Sequence, residues 1–152
     1  MAEGRVPTTS VSVIVAHDLL LAGHRYLDVR TPEEFSQGHA CGAINVPYMK
    51  RGDSGFTMLK LDLCVCICFF FLFLQKKKGV IVNEAGMSKN PSFLEQVSSH
   101  FGEADKIIVG CQSGGRSLKA TAELLDAGFT GVTDIAGGYA AWTQNGLPTQ
   151  ED

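Results

Sequence analysis

Short runs of β-branched and apolar residues alternate with amphipathic runs along most of this chain. We expect strands over Val11–Val15, Tyr26–Val29, Ala43–Val46, Lys106–Gly110 and Val132–Ile135. Between them the pattern predicts helices over Ala16–Ala22, Gly115–Ala127 and Tyr139–Asn145, and further helix starts at Thr31-Pro32 and Asn90-Pro91. Strands that alternate with helices favour right-handed crossovers and a mostly parallel sheet. The sequence therefore predicts an α/β domain of three layers, with helices on both faces of the sheet.

Two helix ends carry recognisable signals. Gly23 directly follows the first helical run, at the position where a helix commonly ends in a left-handed residue. The second helix begins with Thr31 as the cap and Pro32 in the first turn, where its missing N–H costs nothing. Glu33 and Glu34 then place negative charge at the positive end of the helix dipole.

One segment departs from this alternation. Residues 61–74 are almost entirely apolar, are interrupted by Asp62, and are followed by Lys76–Lys78. The run is shorter than the roughly 20 apolar residues that cross a membrane. It could be a buried strand or helix, or an interfacial segment, and membrane contact through 61–78 is the weaker alternative. We interpret 56–86 as a loop insertion, of the kind a translated intron would produce, in a domain over 11–148 with flexible termini at 1–10 and 149–152.

Composition and charge narrow the function classes. The chain of 152 residues is 45% hydrophobic and 19% charged, which is typical of one globular domain. A net charge of -3 gives no general reason to expect a nucleic-acid partner. Three of the five cysteines crowd into Cys64–Cys68 without a second ligand pair, so neither a disulfide scaffold nor a metal site is predicted. The start of the sequence lacks the apolar stretch of a secretory signal, which favours the cytosol, with the plastid as second choice.

The strongest chemical signal is the loop over 111–117. Cys111 stands at the carboxyl end of a predicted strand, and a predicted helix begins four residues later, at Gly115. Ligands of open α/β sheets bind at that edge. Gly114 and Gly115 let successive amides turn inward to make an anion-binding nest, to which the helix N-terminus and Arg116 add positive potential. A thiolate is favoured over a thiol in such surroundings, so Cys111 is the candidate nucleophile.

A simpler interpretation treats Cys111 as a small buried residue and the glycines as a turn. The glycines, serines and arginine that follow it within six residues favour the nucleophile instead.

With this loop and two further motifs, the chain resembles the rhodanese family. The N-terminal motif is Leu27-Asp28-Val29-Arg30 followed by Glu33, Phe35, Gly38-His39 and Gly42–Pro47, and the C-terminal motif is Gly137–Trp142. The resemblance covers residues 11–148 apart from the insertion. It is especially similar to plant senescence-associated single-domain sulfurtransferases over the run Leu19–Arg30.

The resemblance implies a thiosulfate sulfurtransferase with a rhodanese-like fold. Cys111 would take the outer sulfur of thiosulfate as a persulfide and release sulfite. Cyanide, glutathione or a thioredoxin- or glutaredoxin-like protein would then accept the sulfur, with no metal or organic cofactor. The substrate-binding residues would be those of the loop: Gln112, Ser113, Gly114, Gly115, Arg116 and Ser117.

Two other functions remain as alternatives. Rhodanese-like domains also serve as non-catalytic docking or sensor modules, although inactive versions usually lose the cysteine that this chain keeps. Related phosphatases and arsenate reductases use Cys-x5-Arg, whereas Cys111 and Arg116 make a Cys-x4-Arg loop. The shorter loop suits a single sulfur atom better than a tetrahedral oxyanion.

Other residues of the motifs are given supporting or structural roles. We expect Asp28 and Arg30 to form a salt bridge that orders the turn or reaches the cysteine loop. His39 is expected to bond to backbone, and Cys41 to be a bystander rather than a resolving thiol. Tyr139 and Trp142 are expected to pack in the core or at its rim.

Overall fold

The fold is given by a computed structural model that describes residues 8–51 and 86–151. The strands are Ser10–Val11 (β1), Arg25–Asp28 (β2), His39–Ala40 (β3), Ile44–Asn45 (β4), Met49–Arg51 (β5), Met87–Lys89 (β6), Lys106–Gly110 (β7), Gly131–Ile135 (β8) and Thr149–Gln150 (β9). The helices are Val13–Leu21 (α1), Pro32–Ser36 (α2), Phe93–His100 (α3), Gly115–Asp126 (α4) and Gly138–Gln144 (α5). The central sheet has the order β1-β8-β7-β2-β4, and each neighbouring pair in it is parallel. The predicted mostly parallel α/β architecture is confirmed.

Two hydrophobic clusters fill the space between the sheet and its helices. One contains buried residues of α3 and α4, including Phe93, Val97 and Leu124. The other contains buried residues of α1 and α5, including Ala16 and Trp142. Successive residues of a strand point to opposite faces, so one sheet supplies both clusters. The helices therefore cover both faces, which makes the three predicted layers.

The sequence signals at two helix ends are confirmed in detail. Thr31 and Glu34 form a reciprocal capping box: the Glu34 amide donates to Thr31 Oγ1 over 3.3 Å, and the Thr31 amide donates to Glu34 Oε2 over 2.9 Å. After α1, Gly23 has φ +101°, and its amide and that of His24 donate to the carbonyls of Leu20 and Leu19. These two bonds make a Schellman ending, which needs a residue in the left-handed region.

The predicted strand over Val11–Val15 is wrong. β1 ends at Val11, and α1 has already begun at Val13. Ser12 caps the helix by accepting a bond from the Val15 amide over 3.4 Å. The β-branched run favours a strand only weakly, and here the cap and the packing of α1 on α5 decide the conformation.

Two other predictions differ from the structure, one at the start of α3 and one at the C-terminal end of the domain. Asn90 does not cap a helix at Pro91; it accepts a bond from the Ser92 amide, and α3 begins at Phe93. Thr149–Gln150, expected in a flexible tail, forms β9 and pairs antiparallel with β3. The preceding Pro148 carbonyl accepts a bond from the Trp142 indole over 3.0 Å, which ties this end of the chain to α5.

The described residues fall into two units. The first comprises residues 8–50 and 89–151 and contains the central sheet; the second is described only at Arg51 and at residues 86–88. β5 and β6 form a two-stranded sheet. The proposed insertion at 56–86, its apolar run and the three clustered cysteines lie outside the described residues, except for Gly86. No helix in the described ranges is long and apolar enough to span a membrane.

Candidate active site

Cys111 lies at the carboxyl edge of the central sheet, immediately after β7. In the register of the two central strands Asp28 is paired with Gly110, so the ends of β2 and β7 meet beside the cysteine. Only 1% of Cys111 is exposed. A side chain at Gly110 would overlap the hydroxyl of buried Tyr26, so glycine leaves the space that this ring occupies beside β7.

The loop after Cys111 turns a backbone amide toward the thiol. The Gly114 N–H donates to Cys111 Sγ over 3.0 Å. Gly114 has φ +108°, a conformation that glycine adopts without strain, and it caps the N-terminus of α4. The first amides of α4 have no partner within the helix. Together these groups direct positive potential toward the sulfur of Cys111.

The N-terminus of α5 supports the cysteine loop. The Tyr139 amide donates to the Cys111 carbonyl over 2.7 Å, and the Ala140 amide donates to the Gln112 carbonyl over 3.1 Å. Gly138 has φ +58°, and a Cβ there would overlap the Cys111 carbonyl oxygen. Gly138, which sequence reasoning used only as part of a family motif, therefore permits this close backbone contact.

Arg116 does not point freely into the loop; it is held by Glu34. Its two terminal nitrogens donate to the two Glu34 carboxylate oxygens over 2.8 and 2.9 Å. The bonds from Arg116, followed by that from the Thr31 amide, outweigh burial and lower the pKa of Glu34 to about 2. The same pairing raises the pKa of Arg116. The sequence did not mark Glu34 as a site residue, because favourable interaction with the helix dipole already accounts for an acid in the first turn of α2.

We expect Glu34→Gln to destabilise the fold in a pH-dependent way. The folded-state pKa of Glu34 is about 2, below the ordinary value of 4.5. The contribution of ionised Glu34 to the free energy of unfolding is therefore full above about pH 4.5, and it is lost as the pH falls toward 2. At pH 7 the free energy of unfolding of the variant should be lower than that of the wild type by about 1 kcal/mol. The effect is no larger because the carboxylate is partly exposed and screened by solvent. Urea unfolding at pH 7 and pH 2.5 measures this difference, which should shrink at the lower pH.

The matched control for this experiment is Glu95→Gln. Glu95 is likewise an acid in the first turn of a helix, α3, but it is exposed and does not pair with Arg116. A loss of stability as large in Glu95→Gln as in Glu34→Gln would assign the effect to the helix dipole and would contradict the role of the ion pair.

Asp28 and Arg30 form a buried ion pair at the end of β2. Their side chains are 1% and 2% exposed, and Arg30 Nη2 lies 2.8 Å from Asp28 Oδ2. Arg30 Nε and the Arg30 amide also donate to the same carboxylate. The guanidinium further donates to the Gly38 carbonyl over 2.8 Å and stacks 4.1 Å from the centre of the Tyr139 ring. The predicted salt bridge is present and orders the turn before α2.

Residues 30–34 contact both ends of the cysteine loop. Arg30 Nη1 donates to Gln112 Oε1 over 3.4 Å, next to Cys111. Glu34 holds Arg116 at the far end. Arg30 Nη1 also donates to the Glu34 carbonyl over 3.2 Å, which connects the two contacts. A segment some 80 residues away in sequence thus clamps the loop from Gln112 to Arg116.

The other predicted residues take varied places. Ser117 is buried and donates to the Gly114 carbonyl over 3.1 Å, so its hydroxyl supports the loop backbone. Gln112, Ser113 and Gly115 are exposed on the loop surface. His39 is buried, lies 3.0 Å from the Phe35 carbonyl through Nδ1, and stacks on the Phe35 ring. Cys41 is an exposed free thiol.

An open pocket of about 310 Å³ adjoins the cysteine loop. Its lining residues come from the turn before α2, from α2 and its C-terminal end, from the loop, and from α5: Arg30, Glu34, Gln37, Gly38, Gln112 and Tyr139. Sequence reasoning assigned Tyr139 to packing and did not consider Gln37. No local pattern marks either residue, because the pocket arises only when the segments meet.

Comparison with known proteins gives consistent matches. The family described as "Rhodanese-like domain" matches residues 15–145. The chain is 66% identical over 148 residues to "Thiosulfate sulfurtransferase 16, chloroplastic" of Arabidopsis thaliana, covering 97% of each. It is 53% identical to "Senescence-associated protein DIN1" of Raphanus sativus, covering 99% of this chain but 64% of that protein. A rhodanese-related protein from Thermoplasma volcanium shares the fold, with a TM-score of 0.60 at 20% identity over 95% of this chain and 99% of that chain.

Proposed function

Since this chain belongs to the family of rhodanese-like domains, we propose that it is a thiosulfate sulfurtransferase in which Cys111 carries the transferred sulfur. The observation that carries the proposal is the Gly114 N–H aimed at Cys111 Sγ over 3.0 Å. A donor at this position stabilises a thiolate and then a persulfide, the two anions that the reaction requires. The likeness to a protein named thiosulfate sulfurtransferase over nearly its whole length supports the same activity.

The proposed reaction has two displacements at sulfur. The Cys111 thiolate attacks the outer sulfur of thiosulfate, the sulfur–sulfur bond breaks, and sulfite leaves with the bonding electrons. Cyanide or a thiolate then attacks the outer sulfur of the Cys111 persulfide, and the Cys111 thiolate leaves. The loop amides stabilise the anionic sulfur throughout, and no proton is needed at Cys111. We assign substrate binding to the loop Gln112–Ser117, in which Arg116 and Ser117 act by holding the loop in place.

The arrangement of Arg116 argues against an oxyanion-processing enzyme. In a phosphatase cradle the arginine must bind the oxyanion itself. Here both terminal nitrogens of Arg116 are bonded to Glu34. The group that faces the sulfur is then the Gly114 amide, and a backbone donor aimed at one sulfur atom suits sulfane sulfur better than phosphate. The hydrogen-bonded Cys111 likewise favours an enzyme over a docking module.

Paired assays test this proposal directly. The purified chain should convert thiosulfate and cyanide to thiocyanate and should leave an aryl phosphate intact. Phosphate release without thiocyanate formation would favour the phosphatase alternative. Neither product from folded protein would favour a docking module.

We further propose that residues 11–148 form one catalytic domain and that 56–86 is an insertion it does not need. A chain lacking 56–86 should keep the thiocyanate activity and be more soluble, because an apolar run such as 61–74 promotes aggregation when exposed. Soluble yield and specific activity of the shortened chain measure both effects. Failure of the shortened chain to fold would contradict the proposal.

The compartment is proposed from the relatives. The sequence alone favoured the cytosol, whereas the Arabidopsis relative at 66% identity is named chloroplastic. We therefore place this sulfur transfer in a plastid. Fractionation of plant cells with an antibody to the chain should recover it with the chloroplast stroma, and recovery in the cytosol alone would contradict this location.

A further inference from the structure

We propose that Glu34 makes the cysteine loop selective for sulfur, because its carboxylate engages the two terminal nitrogens of Arg116, which would otherwise bind oxyanions. The oxyanions concerned are sulfate, phosphate and the sulfite that the proposed reaction releases. The inference rests on the sulfurtransferase activity proposed above and assigns its specificity to a residue outside the loop. Glu34 belongs to α2 and precedes Arg116 by 82 positions.

The contact between Glu34 and Arg116 has the geometry of an oxyanion complex. Arg116 Nη1 donates to one carboxylate oxygen over 2.8 Å, and Nη2 donates to the other over 2.9 Å. A guanidinium binds phosphate or sulfate through the same two parallel bonds, so a carboxylate and an oxyanion compete for these nitrogens. The Glu34 carboxylate is therefore a built-in ligand of Arg116.

Glu34 is held in place by contacts that do not involve Arg116. The Thr31 amide donates to Glu34 Oε2 over 2.9 Å, and the Glu34 carbonyl accepts a bond from Arg30 Nη1 over 3.2 Å. A carboxylate that is already positioned loses little conformational freedom when it binds the arginine. An anion from solvent has to displace it and leave a partly buried carboxylate without its countercharge.

The pair stays ionised and neutral as a whole. The side chains of Arg116 and Glu34 are 20% and 34% exposed. Bonds from Arg116 hold the pKa of Glu34 at about 2, so the carboxylate remains charged from neutral pH well into the acid range. Arg30, which also contacts the loop, is paired with buried Asp28. Neither arginine therefore offers an uncompensated positive charge to an anion at the loop.

This neutralisation suits the first displacement of the proposed reaction. Besides Glu34, Cys111 contributes to the raised pKa of Arg116, so the guanidinium lies within electrostatic reach of the sulfur. An unpaired arginine there would bind the departing sulfite and delay its exit. It would also bind sulfate and phosphate, neither of which has a sulfane sulfur to give. The Gly114 amide reaches Cys111 Sγ without Arg116, so the sulfur keeps its donor while the arginine is engaged.

Inhibition of thiocyanate formation by sulfate and by phosphate tests the role of Glu34, with chloride added to keep the ionic strength constant. Glu34→Gln removes the charge but keeps the side-chain length and an acceptor for the Thr31 amide. It should lower the inhibition constants of both anions roughly ten-fold or more, the effect of one charge-assisted hydrogen bond gained. Disorder of the loop would weaken anion binding, so a merely structural role of Glu34 predicts the opposite change.

Two further variants separate Arg116 from the overall charge. Glu95→Gln changes the net charge by the same amount, at an exposed acid of α3 that does not pair with Arg116. It should leave both inhibition constants unchanged. The double variant Glu34→Gln/Arg116→Gln removes both partners and should return the inhibition constants to wild-type values or above them.

Unchanged inhibition constants in folded Glu34→Gln would overturn the proposal. So would an equal fall in Glu95→Gln, or a fall that persists in the double variant. Calorimetric titration of sulfate into each variant measures the same affinities without turnover. Failure of the proposed function is separately visible, because the wild-type chain would then take up no sulfur from thiosulfate while the sulfate titrations still compare the variants.

Discussion

Cys111→Ser should lose thiocyanate formation by a factor on the order of 10³ at least, because a hydroxyl cannot form a persulfide. The substitution is small, and the residue is 1% exposed at the end of β7, so the fold should persist. The Gly114 amide would then face an oxygen that carries no sulfane sulfur. The thiocyanate assay measures the loss, and circular dichroism checks that the variant is folded.

Cys41→Ser is the matched control for this variant. Cys41 is an exposed free thiol in the turn after β3, whereas Cys111 is buried in the loop. We expect Cys41→Ser to keep the wild-type rate. Activity that survives Cys111→Ser but falls in Cys41→Ser would identify Cys41 as the sulfur carrier and would contradict this account.

The second large effect is expected on stability, from Asp28→Asn. The variant leaves the Arg30 guanidinium 2% exposed and without its countercharge. Removing one partner of a buried ion pair typically costs about 3–5 kcal/mol. Asparagine can still accept the bond from the Arg30 amide, so the loss should come mainly from the missing charge. The free energy of unfolding in urea, measured on the full chain, gives the size of the effect.

Asp105→Asn provides the same chemical change at an exposed ion pair. The Asp105 and Arg25 side chains are 40% and 44% exposed. Pairs of this kind contribute between 0 and about 1 kcal/mol. Equal losses in Asp28→Asn and Asp105→Asn would contradict the view that burial makes the Asp28–Arg30 pair essential.

The location of the candidate site could be predicted from sequence because its signals are local. The strand Lys106–Gly110, the glycines after Cys111 and the start of α4 are adjacent in the chain. Adjacent residues fix each other's geometry through strand, turn and helix-end rules. The same holds for the helix start at Thr31-Pro32, which was predicted from neighbouring residues and is where α2 begins.

What the sequence did not reveal depends on contacts between distant segments. Glu34 and Arg116 are separated by 82 positions, and nothing near either residue marks the other. The pocket beside the cysteine loop likewise needs α2, the loop and α5 together. The strand predicted over Val11–Val15 failed for the opposite reason: a local preference for strand was overridden by the Ser12 cap and by packing on α5.

The intact mass of the protein after incubation with thiosulfate tests the central claim most directly. The wild-type chain should gain the mass of one sulfur atom, Cys111→Ser should gain none, and cyanide should remove the added mass. Sulfur that appears equally on Cys111→Ser, or no added mass on folded wild-type protein, would contradict persulfide transfer through Cys111.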